Sequence, residues 1–197
     1  MNKAINEHGI IHVLHQHDID AAYLFAKTVH QGQVRKFTGA PYIQHPVEVA
    51  RLVASVTDDH ECIMAALMHD VMEDCGVTAS DLHAEGFSAN VISMVEQLSD
   101  ISKPSDGNRA ERKSVDRQHA ARAWPKTKTV KLADIVNNCD SICAHDLDFA
   151  AVYLPEKRLL LDVLHEGDAT LWARADNIIK NWEMSEPTAT KINRMRP

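Results

Sequence analysis

The stretch AALMHDVMED, residues 65–74, decides how the rest of the chain is interpreted. It begins with apolar residues typical of a buried helix, and it ends with four polar side chains, His69, Asp70, Glu73 and Asp74. Side chains three and four positions apart share a helix face, so these four form one polar patch. Charged groups are costly to bury unpaired. The patch therefore indicates either a helix end that reaches solvent or a bound cation.

The composition indicates one ordinary globular domain. A chain of 197 residues is long enough to bury a core, and the glycine count of 7 together with 5% aromatic residues favours a helical protein. The formal net charge of -7 argues against a general binder of nucleic-acid polymers or of membrane surfaces. No segment resembles a signal peptide or a membrane span. The four cysteines form no CxxC pair, and we expect a cytoplasmic protein with reduced thiols.

Hydrophobic periodicity is helical nearly throughout, so the sequence predicts an all-α fold. The segment 100–108 contains proline and glycine and is predicted to be a mobile loop. We expect one domain over 1–184 and a loosely ordered tail over 185–197. The predicted helices are 18–30, 46–56, 58–74, 77–87, 88–100, 109–123, 128–143, 148–165 and 169–183.

Two other segments of the sequence contain a histidine and an aspartate that could bind the same cation as the patch. His45 ends a loop rich in glycine and proline, and Asp134 lies inside the otherwise apolar segment VKLADIVNN, residues 130–138. A buried aspartate is almost never left unpaired. Two imidazoles and two carboxylates, from His45, His69, Asp70 and Asp134, would form a mixed nitrogen and oxygen ligand set. Such a set suits Mn²⁺, Fe²⁺, Zn²⁺ or Ni²⁺ and leaves positions for water or substrate.

The order His…His-Asp…Asp resembles the HD-domain metal-dependent phosphohydrolases. The segments HQGQVRKFTGAPYIQHPVEVA (30–50), AALMHDVMED and VKLADIVNN are similar to the hydrolase domain of the RelA/SpoT family. Because the chain has no room for a synthetase domain, it resembles the stand-alone small alarmone hydrolases, which include metazoan SpoT homologues. The resemblance implies a single bundle of roughly eight to ten helices.

The resemblance also implies roles for individual residues. His45, His69, Asp70 and Asp134 match the metal ligands, usually for Mn²⁺, and Glu73 and Asp74 match the pair that positions or activates the attacking water. The substrate-binding positions of the family fall on Arg35, Lys36, Asn138 and Ser141.

The activity that the resemblance implies is the hydrolytic removal of pyrophosphate from the 3′ position of a nucleotide such as ppGpp, pppGpp or a ppApp-type alarmone. The partner is then a small-molecule nucleotide. Two alternatives stay open at this point: a nucleotide or NADPH phosphatase that releases orthophosphate, and a nucleotide-sensing module without catalysis. Ile135 and Asn137 stand where the family often has a basic residue and a histidine. Base preference, the number of 5′ phosphates and the oligomeric state are not fixed by the sequence.

Overall fold

A computed structural model describes the backbone of residues 7–185 and the side chains of residues 16–185. In this part of the chain the regular elements are helices joined by loops, with no named strand, which confirms the all-α prediction. A 3₁₀ turn covers Pro104–Asp106, and one isolated antiparallel bridge joins Val34 to Pro41. The α-helices are α1 (Glu7–Val29), α2 (Gln44–Ala54), α3 (His60–Met68), α4 (Val71–Cys75), α5 (Ala79–Ala84), α6 (Ala89–Leu98), α7 (Arg109–Ala121), α8 (Pro125–His145), α9 (Leu147–Leu161) and α10 (Ala169–Ser185).

Helices α3 and α8 form the centre of the bundle. α3 is mostly apolar, and it packs against α1, α2, α6 and α8. α8 packs against α2, α3, α6, α9 and α10. Because α2, α3 and α8 are mutual neighbours, groups at the start of α2, the end of α3 and the middle of α8 are brought to one place. No helix among residues 7–185 has the length and apolar character needed to cross a bilayer.

The prediction of one continuous helix over 58–74 is wrong. α3 begins after Asp59, whose carboxylate caps the helix by accepting the amide N–H of Glu61 at 2.9 Å. The helix ends at Met68, and His69 and Asp70 form a turn before α4. At this break the His69 ring Nδ1 donates at 2.8 Å to the Ala66 carbonyl. In an uninterrupted helix that carbonyl would accept the N–H of residue 70.

The segment 100–108 is a loop with one 3₁₀ turn, and it is anchored near its start, where the amides of Ile101 and Ser102 donate to the buried Asp116 carboxylate at 3.1 and 2.9 Å. One further boundary needs correction. α2 begins at Gln44, two residues before the predicted start at Pro46. The predicted tail, 185–197, lies outside the described residues except for Ser185.

Gly167 sets the close packing of the segment that leads into α10 against α8. A Cβ atom at this position would lie 3.0 Å from the backbone carbon of Lys128 and 3.0 Å from the backbone nitrogen of Thr129. It would also lie 2.8 Å from the Leu132 side chain. The absence of a side chain thus allows the backbone to approach α8 directly.

Candidate metal centre

The four side chains expected to bind a metal converge in the structure. His45 lies in the first turn of α2, His69 and Asp70 lie in the break between α3 and α4, and Asp134 lies in α8. His45 and His69 are each only 2% exposed. The Nε2 atoms of the two histidines are 3.2 Å apart. Carboxylate oxygens complete the cluster, with Asp70 Oδ2 at 3.0 Å from His69 Nε2 and Asp134 Oδ1 at 3.2 Å from His45 Nε2.

The hydrogen bonds at Nδ1 of His45 and His69 determine which atom each ring turns towards the cluster. His69 Nδ1 donates to the Ala66 carbonyl at 2.8 Å, and His45 Nδ1 donates to Asn137 Oδ1 at 2.7 Å. A neutral imidazole that donates from Nδ1 carries its lone pair on Nε2. Both lone pairs therefore point into the cluster, where two carboxylate oxygens also lie. The cluster joins four acceptor atoms, which is an arrangement that a cation stabilises.

The pKa values of Asp70, Asp134 and His69 are shifted by contacts between the carboxylates and the histidines, which outweigh the effect of burial. Burial would raise the pKa of Asp134, yet contacts with His45 and His69 outweigh it and hold that pKa well below its usual range. Burial likewise opposes ionisation of Asp70, but His69 lowers the Asp70 pKa to about 2. Burial would lower the pKa of His69, and the Asp70 and Asp134 carboxylates raise it well above its usual value. Both carboxylates are thus ionised and ready to bind a cation.

The donor set fits a divalent metal. Three of the groups, His45, His69 and Asp70, each place a ligand atom within 4.8 Å of the other two, and Asp134 Oδ1 lies 3.2 and 3.6 Å from the two histidine nitrogens. Imidazole nitrogen and carboxylate oxygen suit the divalent transition metals. The chain therefore carries a His/Asp cluster of the kind that holds a divalent cation.

Two neighbouring side chains support the carboxylates. The Tyr42 hydroxyl donates to Asp70 Oδ2 at 2.6 Å, and Asn138 Nδ2 donates to Asp134 Oδ1 at 2.6 Å. Sequence reasoning missed Tyr42, although its position three residues before His45 was a usable signal. It also treated Asn137 as a departure from the family pattern, whereas the structure places this residue against His45.

The carboxylates expected to act on water, Glu73 and Asp74, lie in α4, immediately after Asp70. Both side chains are exposed, so solvent reaches them. Glu73 Oε2 accepts the amide N–H of Asp100 at 3.3 Å. Although Glu73 keeps contact with solvent, desolvation by the surrounding protein and the Asp100 carboxylate raise its pKa. A raised pKa makes a carboxylate a better proton acceptor near neutral pH.

The residues expected to bind substrate meet in one groove of about 260 Å³. Arg35 and Lys36 line it from the loop between α1 and α2, and Asn138 and Ser141 line it from α8. Tyr42 is also a lining residue. Since Tyr42 and Asn138 hydrogen-bond to Asp70 and Asp134, the groove adjoins the His/Asp cluster.

A tight turn presents the basic pair to this groove. The amide of Arg35 donates to the Ala40 carbonyl at 2.8 Å, and the amide of Gly39 donates to the Arg35 carbonyl at 2.9 Å. Gly39 has φ +68°, a conformation that favours glycine. The Lys36 side chain is 71% exposed and pairs with Asp146 at 3.2 Å. An exposed pair of this kind is weak, so Lys36 can exchange Asp146 for an anionic ligand.

The sequence of this chain is similar to a known domain family and to named bacterial proteins. A model of the HD domain matches residues 22–145. A Vibrio cholerae protein named guanosine-3′,5′-bis(diphosphate) 3′-pyrophosphohydrolase is 46% identical over 82 residues, which are 42% of this chain and 11% of the relative. A Streptomyces coelicolor protein named GTP pyrophosphokinase is 35% identical over 121 residues, 61% of this chain and 14% of the relative. The chain thus spans about a tenth of the length of the curated relatives it matches.

Solved structures share the fold. A metazoan orthologue of SpoT, described as hydrolysing ppGpp, superposes with a TM-score of 0.75 at 24% identity, covering 83% of this chain and 94% of that chain. A Listeria monocytogenes protein superposes with a TM-score of 0.59 at 20% identity, covering 74% of this chain and 99% of that chain. These similarities show a common helical architecture.

Proposed function

The chain belongs to the HD-domain family, and on that premise we propose that it is a metal-dependent 3′-pyrophosphohydrolase of an alarmone nucleotide such as ppGpp. One observation carries the proposal: the groove lined by Arg35 and Lys36 adjoins the His/Asp cluster through Tyr42 and Asn138. A phosphorylated nucleotide held in the groove would thereby have a phosphate group at the cluster. The names of the bacterial relatives support the same reaction.

The proposed metal is Mn²⁺, held by His45, His69, Asp70 and Asp134. A bound divalent cation of this kind lowers the pKa of a coordinated water and screens the charge of a diphosphate. Each histidine would bind the metal through Nε2, because its Nδ1 proton is donated to Asn137 or to the Ala66 carbonyl. The metal would displace the proton that the Asp70 and Asp134 carboxylates favour on His69. Tyr42 and Asn138 restrict the carboxylates to one orientation each.

Glu73 accepts the proton of the attacking water in this proposal. Its raised pKa suits that role, and its bond from the Asp100 amide fixes one carboxylate oxygen while the other stays available. Asp74, next to it and exposed, assists in positioning the water.

The substrate is anionic, and the chain carries a formal net charge of -7. Local cations must therefore attract it. Arg35 offers a planar guanidinium for stacking on a base and for bidentate hydrogen bonds, and Lys36 offers a point charge for phosphate. Ser141 lies further along the groove wall, where it can contact the base. A small nucleotide in the cytoplasm, rather than a nucleic-acid polymer or a membrane, is the partner that we propose.

The test is a substrate panel with the purified protein and Mn²⁺. ppGpp and ppApp should each be tested, with NADPH and a nucleoside monophosphate as comparison substrates, and both pyrophosphate and orthophosphate should be measured. We expect pyrophosphate from at least one alarmone. Orthophosphate from NADPH or from the monophosphate, without pyrophosphate, would support a phosphatase instead. Tight nucleotide binding without turnover, with the metal shown to be bound, would support a sensing module.

A further inference from the structure

Asn137 and Glu48 form a hydrogen-bonded chain that ends at the candidate ligand His45. Asn137 Oδ1 lies 2.7 Å from His45 Nδ1, and Asn137 Nδ2 donates to Glu48 Oε2 at 2.9 Å. Glu48 belongs to α2, the helix that also carries His45, whereas Asn137 comes from α8. These hydrogen bonds therefore connect the two helices that supply His45 and Asp134 to the cluster.

The Glu48 carboxylate determines which way the Asn137 amide faces. A carboxylate can only accept hydrogen bonds, so the amide NH₂ must point towards Glu48. If the amide were turned over, its oxygen would face the Glu48 carboxylate and its NH₂ would face the His45 ring. The observed arrangement satisfies all three groups, and it leaves the Asn137 oxygen as the acceptor for His45.

This orientation selects one tautomer of His45. With an acceptor at Nδ1, the ring keeps a proton there, and Nε2 is the nitrogen that faces the cluster and can give its lone pair to a metal. We infer that Asn137, oriented by Glu48, is a positioning residue that holds His45 as a metal ligand in this chain. The inference rests on the metal site of the proposed function and is independent of which nucleotide the protein hydrolyses.

Other groups near His45 do not replace this bond. Tyr42 contacts the His45 ring edge-on with ring centres 5.8 Å apart, and its hydroxyl is committed to Asp70. His69 meets His45 on the Nε2 side. Asn137 is thus the acceptor that the structure provides for His45 Nδ1 within residues 16–185.

The experiment measures Mn²⁺ affinity without nucleotide, together with the His45 tautomer from the ¹⁵N shifts of the metal-free protein. The removal of a partner in the second shell of a metal site costs about 10–100-fold in metal affinity, and we expect a loss of this size for Asn137→Leu. Nδ1 protonation of His45 should no longer dominate in that variant. Glu48→Ala should reduce affinity by a smaller factor than Asn137→Leu, because the amide can then turn over. Glu48→Gln keeps an acceptor for Asn137 and should restore wild-type affinity.

Asp140→Asn is the matched control. Asp140 lies on the same helix, is about half exposed at 51%, and pairs with Arg174 at 3.0 Å. Its substitution should leave both the Mn²⁺ affinity and the His45 tautomer unchanged.

Three other outcomes would overturn the inference. A folded Asn137→Leu protein with wild-type Mn²⁺ affinity would overturn it and leave the proposed function intact. If Asn137→Leu fails to fold, the exposed position Glu48 decides, since unchanged affinity and an unchanged tautomer in Glu48→Ala would also overturn it. A wild-type protein that binds no Mn²⁺ would overturn both the inference and the metal site itself.

Discussion

His45 Nε2 and His69 Nε2 lie 3.2 Å apart at the centre of the bundle, and each ring already donates its Nδ1 proton to a protein acceptor. Two lone pairs at this distance, beside two carboxylates, require a positive charge between them. The Asp70 and Asp134 carboxylates favour such a charge on His69, because they raise its pKa well above the usual value. This arrangement explains how the stretch 65–74 places charged groups in a core, because a positive charge at the cluster compensates the carboxylates.

Removal of Asp134 should abolish metal retention. We expect Asp134→Ala to bind Mn²⁺ more than about 100-fold more weakly than the wild type, since even second-shell substitutions cost about 10–100-fold. Metal content after gel filtration, determined by mass spectrometry, measures this directly. Asp140→Ala, on the same helix but exposed, serves as the control. Equal metal content in Asp134→Ala and wild type would remove Asp134 from the ligand set.

Replacement of Glu73 should separate metal binding from turnover. Glu73→Gln keeps the shape of the side chain and its acceptor for the Asp100 amide, but it cannot take a proton from water. Turnover should fall by about 10²–10⁴-fold, the usual contribution of general acid–base catalysis. Metal content should stay that of the wild type. A fully active Glu73→Gln protein would show that another group accepts the proton.

The pH dependence of turnover should report the environment of Glu73. A general base is active when deprotonated, so kcat is lost as the pH falls through its pKa. Because desolvation and Asp100 raise the Glu73 pKa, we expect this acidic limb to lie above the usual value of 4.5. Asp100→Asn removes the carboxylate that raises the Glu73 pKa and keeps the backbone amide that binds Glu73. This change favours the ionised form of Glu73 and should move the limb to lower pH, whereas a limb that does not move would exclude this origin.

Packing between α8 and the start of α10 should depend on Gly167. A Cβ atom there would meet the backbone of Lys128 and Thr129 at 3.0 Å, and backbone atoms cannot move away as a flexible side chain can. Gly167→Ala should therefore reduce the free energy of unfolding by about 1–3 kcal/mol, the typical cost of overpacking. Urea denaturation of the metal-free protein measures the change. Wild-type stability would mean that the segment shifts without cost.

The fold was predictable where local pattern decides the structure. Helical periodicity predicted the helices around the core, and their observed ends differ from the predicted ones by a few residues at most positions. The break at His69 was not predictable, because the apolar pattern continues across it; in the structure the His69 ring bonds to the Ala66 carbonyl at this point. The acceptor that anchors Ile101 and Ser102 likewise comes from a later helix, at Asp116.

The candidate site was predictable in its members but not in their supporting bonds. Histidines and aspartates in apolar surroundings pointed to a shared site, since buried charges need partners. The pairing of Asn137 with His45 links residues 92 positions apart, and that of Tyr42 with Asp70 links residues 28 apart. The first pair follows from how α2 packs against α8, and the second from how the loop before α2 meets the break after α3, and the sequence pattern specifies neither.

The proposed reaction is tested most directly by a ³¹P NMR time course of ppGpp hydrolysis by the Mn²⁺-loaded protein and by the same protein after chelation. We expect pyrophosphate and the nucleoside 5′-diphosphate in equal amounts with metal, and no reaction after chelation. Restoration of Mn²⁺ should restore both products. Release of orthophosphate in place of pyrophosphate, or turnover that persists without metal, would contradict it.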